Sequence, residues 1–324
     1  MGHTDAVDIA VLDDYAGAAL ELADWSRLQA QGRVEVFHDQ VRDSAALVER
    51  LQPYEAVVLM RERTAFPAEV IAHLDRLRVI VTTGRRNPVL DVAAAHARGI
   101  LVCHTGSIVS STAELTWALI LAHSRHLVGE VGALADGRWQ STLGRDLDGA
   151  TLGVLGLGRI GARVAPVGRA FGMDVIAWSR TLDDGRARTV GATAVSYDEL
   201  LRRSDVLTVH VPLNASTRGL VGREAIGAMK RTALLVNTCR AAVTDLGAIR
   251  DALAAGRLGG AAIDVFDAEP PDRDDPVRRT AGLLATPHLG YVTRRGMSVF
   301  YGEAVEDLEA YLAGTPVRVV TAAG

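Results

Sequence analysis

The sequence predicts an α/β protein built from two doubly wound parallel sheets, and three observations carry that prediction. Short apolar, β-rich runs alternate with helical periodicity along both halves of the chain. Three glycines, Gly156, Gly158 and Gly161, stand between one such run and a helical pattern that continues to Phe171. The length of 324 residues exceeds what one compact core usually organises, so two domains are expected.

The elements follow in order. In the first hundred residues, strands are expected at 9–12, 34–37, 56–60, 79–82 and 100–103. A helix over 44–51 is capped by Asp43 or Ser44, and one over 67–74 starts at Pro67. A single long helix is expected over 111–135, with apolar residues at Leu115, Leu119, Ala122 and Leu127, and a polar connector over 136–149. After the glycines, strands are expected at 175–178, 206–211, 234–237, 261–265 and 283–285. A helix over 245–255 ends at Gly256, a terminal helix covers 293–313, and an extended piece covers 316–320. The Asp- and Pro-rich run 270–276 reads as a solvated loop, and no internal repeat is visible.

Composition excludes several functions. The net charge of −4 and the scatter of the arginines argue against a nucleic-acid partner; Lys230 is the single lysine. Cys103 and Cys239 lie far apart, which indicates neither a disulfide framework nor a zinc site. His123 and His126 share a helix face but lack further ligands, so no metal is expected. No apolar run reaches membrane-spanning length, and no targeting signal is read in residues 1–6, so a reducing cytoplasm is expected.

The glycines have a physical reading. Gly156 permits a tight turn out of a buried strand, Gly158 lets a phosphate approach the backbone, and Gly161 lets the helix pack close to the strand. The helix then presents unpaired N–H groups and the positive end of its dipole to a pyrophosphate. Ligands of such sheets lie beyond the carboxyl ends of the strands, where Arg240, Asp264, Glu269 and His288 follow successive expected strands. Alone, Arg240 reads as a surface cation, Glu269 as a loop carboxylate and His288 as a core or surface histidine. Together they set a base, a carboxylate and a guanidinium at the edge where a dinucleotide would lie.

On the stretches 152–161, 210–213 with 217–220, 235–240, 260–270 and 286–290, the chain resembles the D-specific 2-hydroxyacid dehydrogenase family over essentially its whole length. The resemblance implies a Rossmann dinucleotide-binding domain, residues 105–291, inserted in a flavodoxin-like substrate domain formed by 1–104 and 292–324. It implies a catalytic set of Arg240, Glu269 and His288. It also implies cofactor contacts from Gly156, Gly158, Arg159, Ile160, Gly161, Ser179, Arg180, Val211, Pro212, Thr217, Thr238, Asp264 and His288, with Asp264 toward the nicotinamide carboxamide. The expected reaction is NAD(P)H-dependent interconversion of a small anionic 2-oxo acid and its D-2-hydroxy acid. His288 serves as general acid/base, Glu269 holds its tautomer, and Arg240 pairs with the substrate carboxylate. A homodimer is implied as well. Alternatives are oxidation of phosphite or formate, the formate branch carrying an amide where Glu269 stands, and a cofactor-gated binding protein of the corepressor type.

Three departures from the family refine these expectations. Ser179 stands where an acidic residue normally bonds the adenosine ribose, with Arg180 beside it; this favours NADP(H) over NAD(H), while Asp183 and Asp184 nearby keep NAD(H) open. After the strand at 79–82, the loop Gly84, Arg85, Arg86 offers two cations for a second anionic group on the substrate, or two solvated surface arginines. Ala241 replaces a glycine after Arg240, so strain is expected if that position needs a positive φ.

Overall fold

The structure, a computed structural model, describes residues 7–321. Residues 1–6, on which the expected absence of a targeting signal rests, lie outside the described residues. The chain divides into two compact units, Met1–Ile108 with Thr293–Gly324, and Val109–Val292.

The first unit holds five parallel strands: β1 (Ile9–Val11), β2 (Val34–Val36), β3 (Ala56–Leu59), β4 (Val79–Thr82) and β5 (Leu101–His104), in the order β2-β1-β3-β4-β5. β3 and β4 are buried at every residue, as parallel strands covered on both faces must be. Asp43 caps the helix Ser44–Leu51, its side chain accepting from the Ala46 N–H at 2.8 Å. The helix Arg294–Leu312, capped by Thr293, belongs to this unit: it packs on β4 and buries Phe300, Tyr301, Ala304 and Leu308. The tail beyond it runs antiparallel to β5, with Val319 bridged to Cys103 and the Val320 N–H donating to the Val102 carbonyl at 2.8 Å.

The second unit holds seven parallel strands: β6 (Thr151–Leu155), β7 (Asp174–Trp178), β8 (Thr193–Ala194), β9 (Val206–Val209), β10 (Leu234–Asn237), β11 (Gly260–Ile263) and β12 (Leu283–Ala285). Their order is β12-β11-β10-β9-β6-β7-β8. The chain builds outward from β6 to β8, then crosses back to β9 and continues the other way. The topological switch therefore falls between β6 and β9, where an α/β sheet binds its ligand.

The structure departs from the expected elements in several places. The single helix over 111–135 is two, Ser110–Ser124 and Leu127–Ala135, because His126 adopts the left-handed conformation (φ 50°). Helical periodicity persists on both sides of this break, and periodicity does not register the φ of one residue; histidine is among the residues that tolerate it. The two-residue strand β8 was not anticipated, being too short to show alternation. The strand expected over 206–211 ends at Val209, which leaves His210 and Val211 in the loop beyond the sheet edge. The helix expected over 67–74 spans Ala68–Ala72, with Pro67 as its N-cap.

Candidate active site

The glycines at the end of β6 occupy three different environments. Gly156 has φ 100°, and a Cβ there would stand 2.8 Å from the backbone carbonyl of His210. At Gly161 a Cβ would stand 2.2 Å from the Gly156 carbonyl oxygen. A Cβ at Gly158 meets nothing within 4 Å. Turn, close helix packing and open approach are thus divided among the three as a pyrophosphate site requires, ahead of the helix Gly161–Ala170, whose dipole turns its positive end toward the loop. Ile160 is half-buried at the helix start and Arg159 is exposed.

β7 delivers Ser179 against this loop: its Oγ accepts from the Leu157 N–H at 2.8 Å. Arg180 is exposed and donates from Nη1 to Ser216 Oγ at 3.1 Å. Arg186, which the sequence reading passed over, donates from Nη2 to the Leu157 carbonyl at 3.2 Å. Asp183 is engaged as the N-cap of the helix Asp184–Thr189, accepting from the Arg186 N–H at 2.9 Å. Beyond β9, Val211 is buried and Pro212 exposed. Thr217 closes that loop, donating from Oγ1 to the Pro212 carbonyl at 2.6 Å and accepting from the Asn214 N–H at 2.9 Å. His210 is buried with neither ring nitrogen hydrogen-bonded; burial pushes its pKa down to about 3 and keeps it neutral.

The loop after β10 is shaped by Asn237, the strand's last residue and fully buried. Its Nδ2 donates to the Arg240 carbonyl and to Thr244 Oγ1, each at 3.0 Å, and its Oδ1 accepts from the Cys239 N–H at 3.0 Å. Arg240 is extended and donates from Nη1 to the Cys239 carbonyl at 2.7 Å. Ala241 opens the short helix Ala241–Val243 and is not among the positive-φ residues, so the strain expected there is absent. Thr238 is buried, its hydroxyl 2.9 Å from that of Thr116.

The loop after β12 carries His288 at φ 52°. Its Nδ1 lies 2.5 Å from Glu269 Oε2, while Glu269 Oε1 accepts from the Phe266 N–H at 2.9 Å. Burial pushes the Glu269 carboxyl up, but the hydrogen bond and charge of His288, the Phe266 N–H and Arg240 together hold it below the usual carboxylate range. With Nδ1 committed to Glu269, Nε2 is the nitrogen left to exchange a proton with a ligand. Asp264 is fully buried and accepts from Thr286 Oγ1 at 2.6 Å, the Leu289 N–H at 2.7 Å and the Gly290 N–H at 2.8 Å. Burial pushes its carboxyl up, and these three donors pull the other way.

Gly84, Arg85 and Arg86 lie in the first unit, in the loop after β4. Gly84 has φ 81° and donates its N–H to Thr105 Oγ1 at 2.8 Å, while Arg85 and Arg86 are exposed. Arg61, also passed over, lies two residues after β3 at φ 56°. A Cβ on Gly84 would fall 1.9 Å from its Nη1, so its guanidinium lies against the Gly84 backbone. Its position just past a strand end is the signal that picked out Arg240.

A doubly wound sheet with a glycine loop fitted to a dinucleotide, and with an imidazole–carboxylate pair and an arginine on loops at its carboxyl edge, defines a nicotinamide-dependent oxidoreductase. Residues 117–290 match the family model described as D-isomer specific 2-hydroxyacid dehydrogenase, NAD binding domain. The chain is 38% identical over 256 residues to a glyoxylate reductase from Aeropyrum pernix, covering 76% of each chain. It is 36% identical over 275 residues to a D-3-phosphoglycerate dehydrogenase from Archaeoglobus fulgidus, covering 84% of this chain and 52% of that one, so it spans about half the length of that relative. A solved phosphoglycerate oxidoreductase from Vibrio cholerae superposes with a TM-score of 0.90 at 36% identity, covering 95% of this chain and 99% of that one. The chain belongs to the D-isomer specific 2-hydroxyacid dehydrogenase family, NAD-dependent oxidoreductases that interconvert 2-oxo and 2-hydroxy acids. No helix among the described residues is long and apolar enough to cross a membrane.

Beside Arg240, Cys239 is buried with its Sγ 3.1 Å from Asn237 Oδ1, which favours a small buried hydrophobe over an activated thiol. Burial raises its pKa to about 11 and that of Cys103 to about 12. In the native protein at pH 8, neither thiol is expected to react with a chromogenic disulfide, and both are expected to react once denaturant is added. Rapid native labelling of Cys239 would show an activated thiol instead.

Proposed function

We propose that the chain is an NAD(P)H-dependent reductase of a small anionic 2-oxo acid, with His288 as general acid/base, Glu269 as its partner and Arg240 as the carboxylate clamp. The observation that carries this reading is the 2.5 Å contact between His288 Nδ1 and Glu269 Oε2 on the edge where the glycine loop would hold a dinucleotide. Nicotinamide, when bound, supplies the hydride to the keto carbon or takes it back. His288 Nε2 gives its proton to the carbonyl oxygen as negative charge develops there, and recovers it in the reverse direction. Glu269 fixes the ring by accepting from Nδ1. Arg240 offers a planar fork of donors to the substrate carboxylate and polarises the adjacent carbonyl.

Exposed Arg85 and Arg86, with Arg61 against Gly84, support a second anionic group on the substrate, such as another carboxylate or a phosphate. Two buried free thiols fit a reducing cytoplasm. The cofactor reading favours NADP(H). Ser179 brings no carboxylate to repel a 2′-phosphate, Asp183 is consumed as a helix cap, and Arg180 and Arg186 flank the loop. A homodimer through the second unit is supported by exposed apolar residues on and after the helix Leu127–Ala135, where Val128 is 64%, Val131 62%, Leu134 59% and Trp139 76% exposed.

Turnover is expected with 2-oxo acids in a panel that also contains formate and phosphite, and dianionic acids should show the lowest KM. His288→Ala should lower kcat roughly 10²–10⁴-fold with reduced-cofactor binding retained. Near-normal turnover by that variant would remove His288 from the chemistry, and unchanged KM values in Arg85→Ala for every acid would remove the second-anion reading. The double variant Arg180→Ala/Arg186→Ala should weaken NADPH binding and leave NADH binding unchanged in fluorescence titrations. A parent that binds NADH at least as tightly as NADPH refutes the preference. In sedimentation, the parent should run as a dimer and Val131→Asp/Leu134→Asp as a monomer; a monomeric parent ends the dimer reading.

A further inference from the structure

The helix Ser110–Ser124 precedes the glycine loop in the chain and contributes none of the candidate catalytic groups, yet its side chains meet two of the loops that do and the helix that follows the glycine loop. Trp117 donates from Nε1 to the Val164 carbonyl at 3.3 Å, inside the helix that follows the glycine loop. Thr116 Oγ1 lies 2.9 Å from Thr238 Oγ1, two residues before Arg240. Thr112 donates from Oγ1 to the Gly290 carbonyl at 3.0 Å, two residues after His288. Thr112 and Thr116 are one helical turn apart and so share a face. The helix itself is fixed, with Ala113, Trp117, Leu119 and Ile120 in the core.

One proton per hydroxyl sets the direction of the chain of bonds. Thr116 spends its proton on the Thr112 carbonyl at 2.8 Å. In the pair with Thr238, then, Thr238 donates and Thr116 accepts. Thr116 is fully buried and Thr238 is 5% exposed, so removing the acceptor would leave a buried O–H without a partner. On the other loop, Gly290 is held from two sides: its carbonyl accepts from Thr112 and its N–H donates to Asp264 Oδ2 at 2.8 Å. A Cβ on Gly290 would lie 3.1 Å from Asp264 Oδ2 and 3.3 Å from Thr112 Oγ1, so the space between these two groups is filled by backbone alone.

We propose that Thr116 and Thr112 are positioning residues that register the Arg240 loop and the His288 loop on one rigid helix, so that the carboxylate clamp and the proton donor keep their mutual geometry. The proposal rests on the roles given above to Arg240 and His288. It assigns to the helix the task of holding apart, and in register, two groups that must address the carboxylate and the keto oxygen of the same small molecule.

Thr116→Val keeps the β-branched shape and removes the hydroxyl; Thr116→Ser keeps the hydroxyl. Thr116→Val should lower kcat roughly 10- to 100-fold, the scale expected when a catalytic group is misplaced from a distance. It should also raise KM for the oxo acid and leave the dissociation constant for reduced cofactor, read by fluorescence, unchanged. Thr116→Ser should restore both kinetic constants. Thr112→Val should lower kcat and displace the pH profile of kcat, since it loosens the loop that carries the proton donor. A thermal midpoint that falls in Thr116→Val while kcat, KM and pH profile stay at parental values overturns the proposal, as does a loss of turnover matched by loss of cofactor binding. Arg240→Lys is the control. If it is inactive and Thr116→Val is normal, the registering role alone is wrong; if Arg240→Lys turns over normally, the reading of the site fails and takes the proposal with it.

Discussion

The second unit depends on a backbone contact at the carboxyl end of β6. Gly161 sits so close to the Gly156 carbonyl that a single methyl carbon would stand 2.2 Å from the oxygen. That approach brings the start of the helix Gly161–Ala170 onto the strand end and turns the positive end of its dipole toward the switch point between β6 and β9. Gly156 is pressed from the other side by His210, the first residue past β9, so the loops on both flanks of the switch fix one another. The groups of chemical interest then follow from topology: each lies on a loop leaving the same edge of a parallel sheet.

Two carboxylates on that edge show how surroundings divide similar groups between tasks. Glu269 is opposed by an imidazole and a backbone N–H, and its folded pKa falls below the unfolded value despite burial. It therefore contributes stability that is present above its unfolded pKa and is lost as pH falls through the folded one. Asp264 is fully buried, and burial moves its pKa the other way. Its ionisation costs stability as pH rises from the unfolded value toward the folded one, a cost the fold accepts in holding the Leu289 and Gly290 N–H groups in place. One acid pairs with the ring of His288, while the other binds two N–H groups of the loop in which His288 takes its positive φ.

The sheets were legible because buried parallel strands leave uninterrupted apolar runs. The sequence pattern placed 79–82, 234–237 and 283–285 at the observed boundaries. The rule that ligands gather past strand ends brought Arg240, Asp264, Glu269 and His288 to attention, and the structure places the last two in contact. What escaped was set by single dihedrals or by contacts distant in sequence. His126 breaks a helix by one φ. Arg186 reaches the glycine loop from a helix whose pattern marks it only as a surface cation. Ala241 looked strained because a glycine was expected, yet the Asn237 amide shapes that turn without calling for a positive φ there.

The helix that carries Thr112 and Thr116 shows why such residues leave no trace in a linear reading. Threonine inside a helix is a mild liability by propensity, and its back-bond to the carbonyl four residues earlier is commonplace. Their value here is a bond from each hydroxyl to a residue more than a hundred positions away, Thr238 for Thr116 and Gly290 for Thr112. Both partners lie beside residues whose chemistry is conspicuous, but the threonines themselves touch no candidate ligand. Precision at such a site rests on groups of this kind, because a guanidinium and an imidazole on separate loops share a geometry only as fixed as the element that holds both loops.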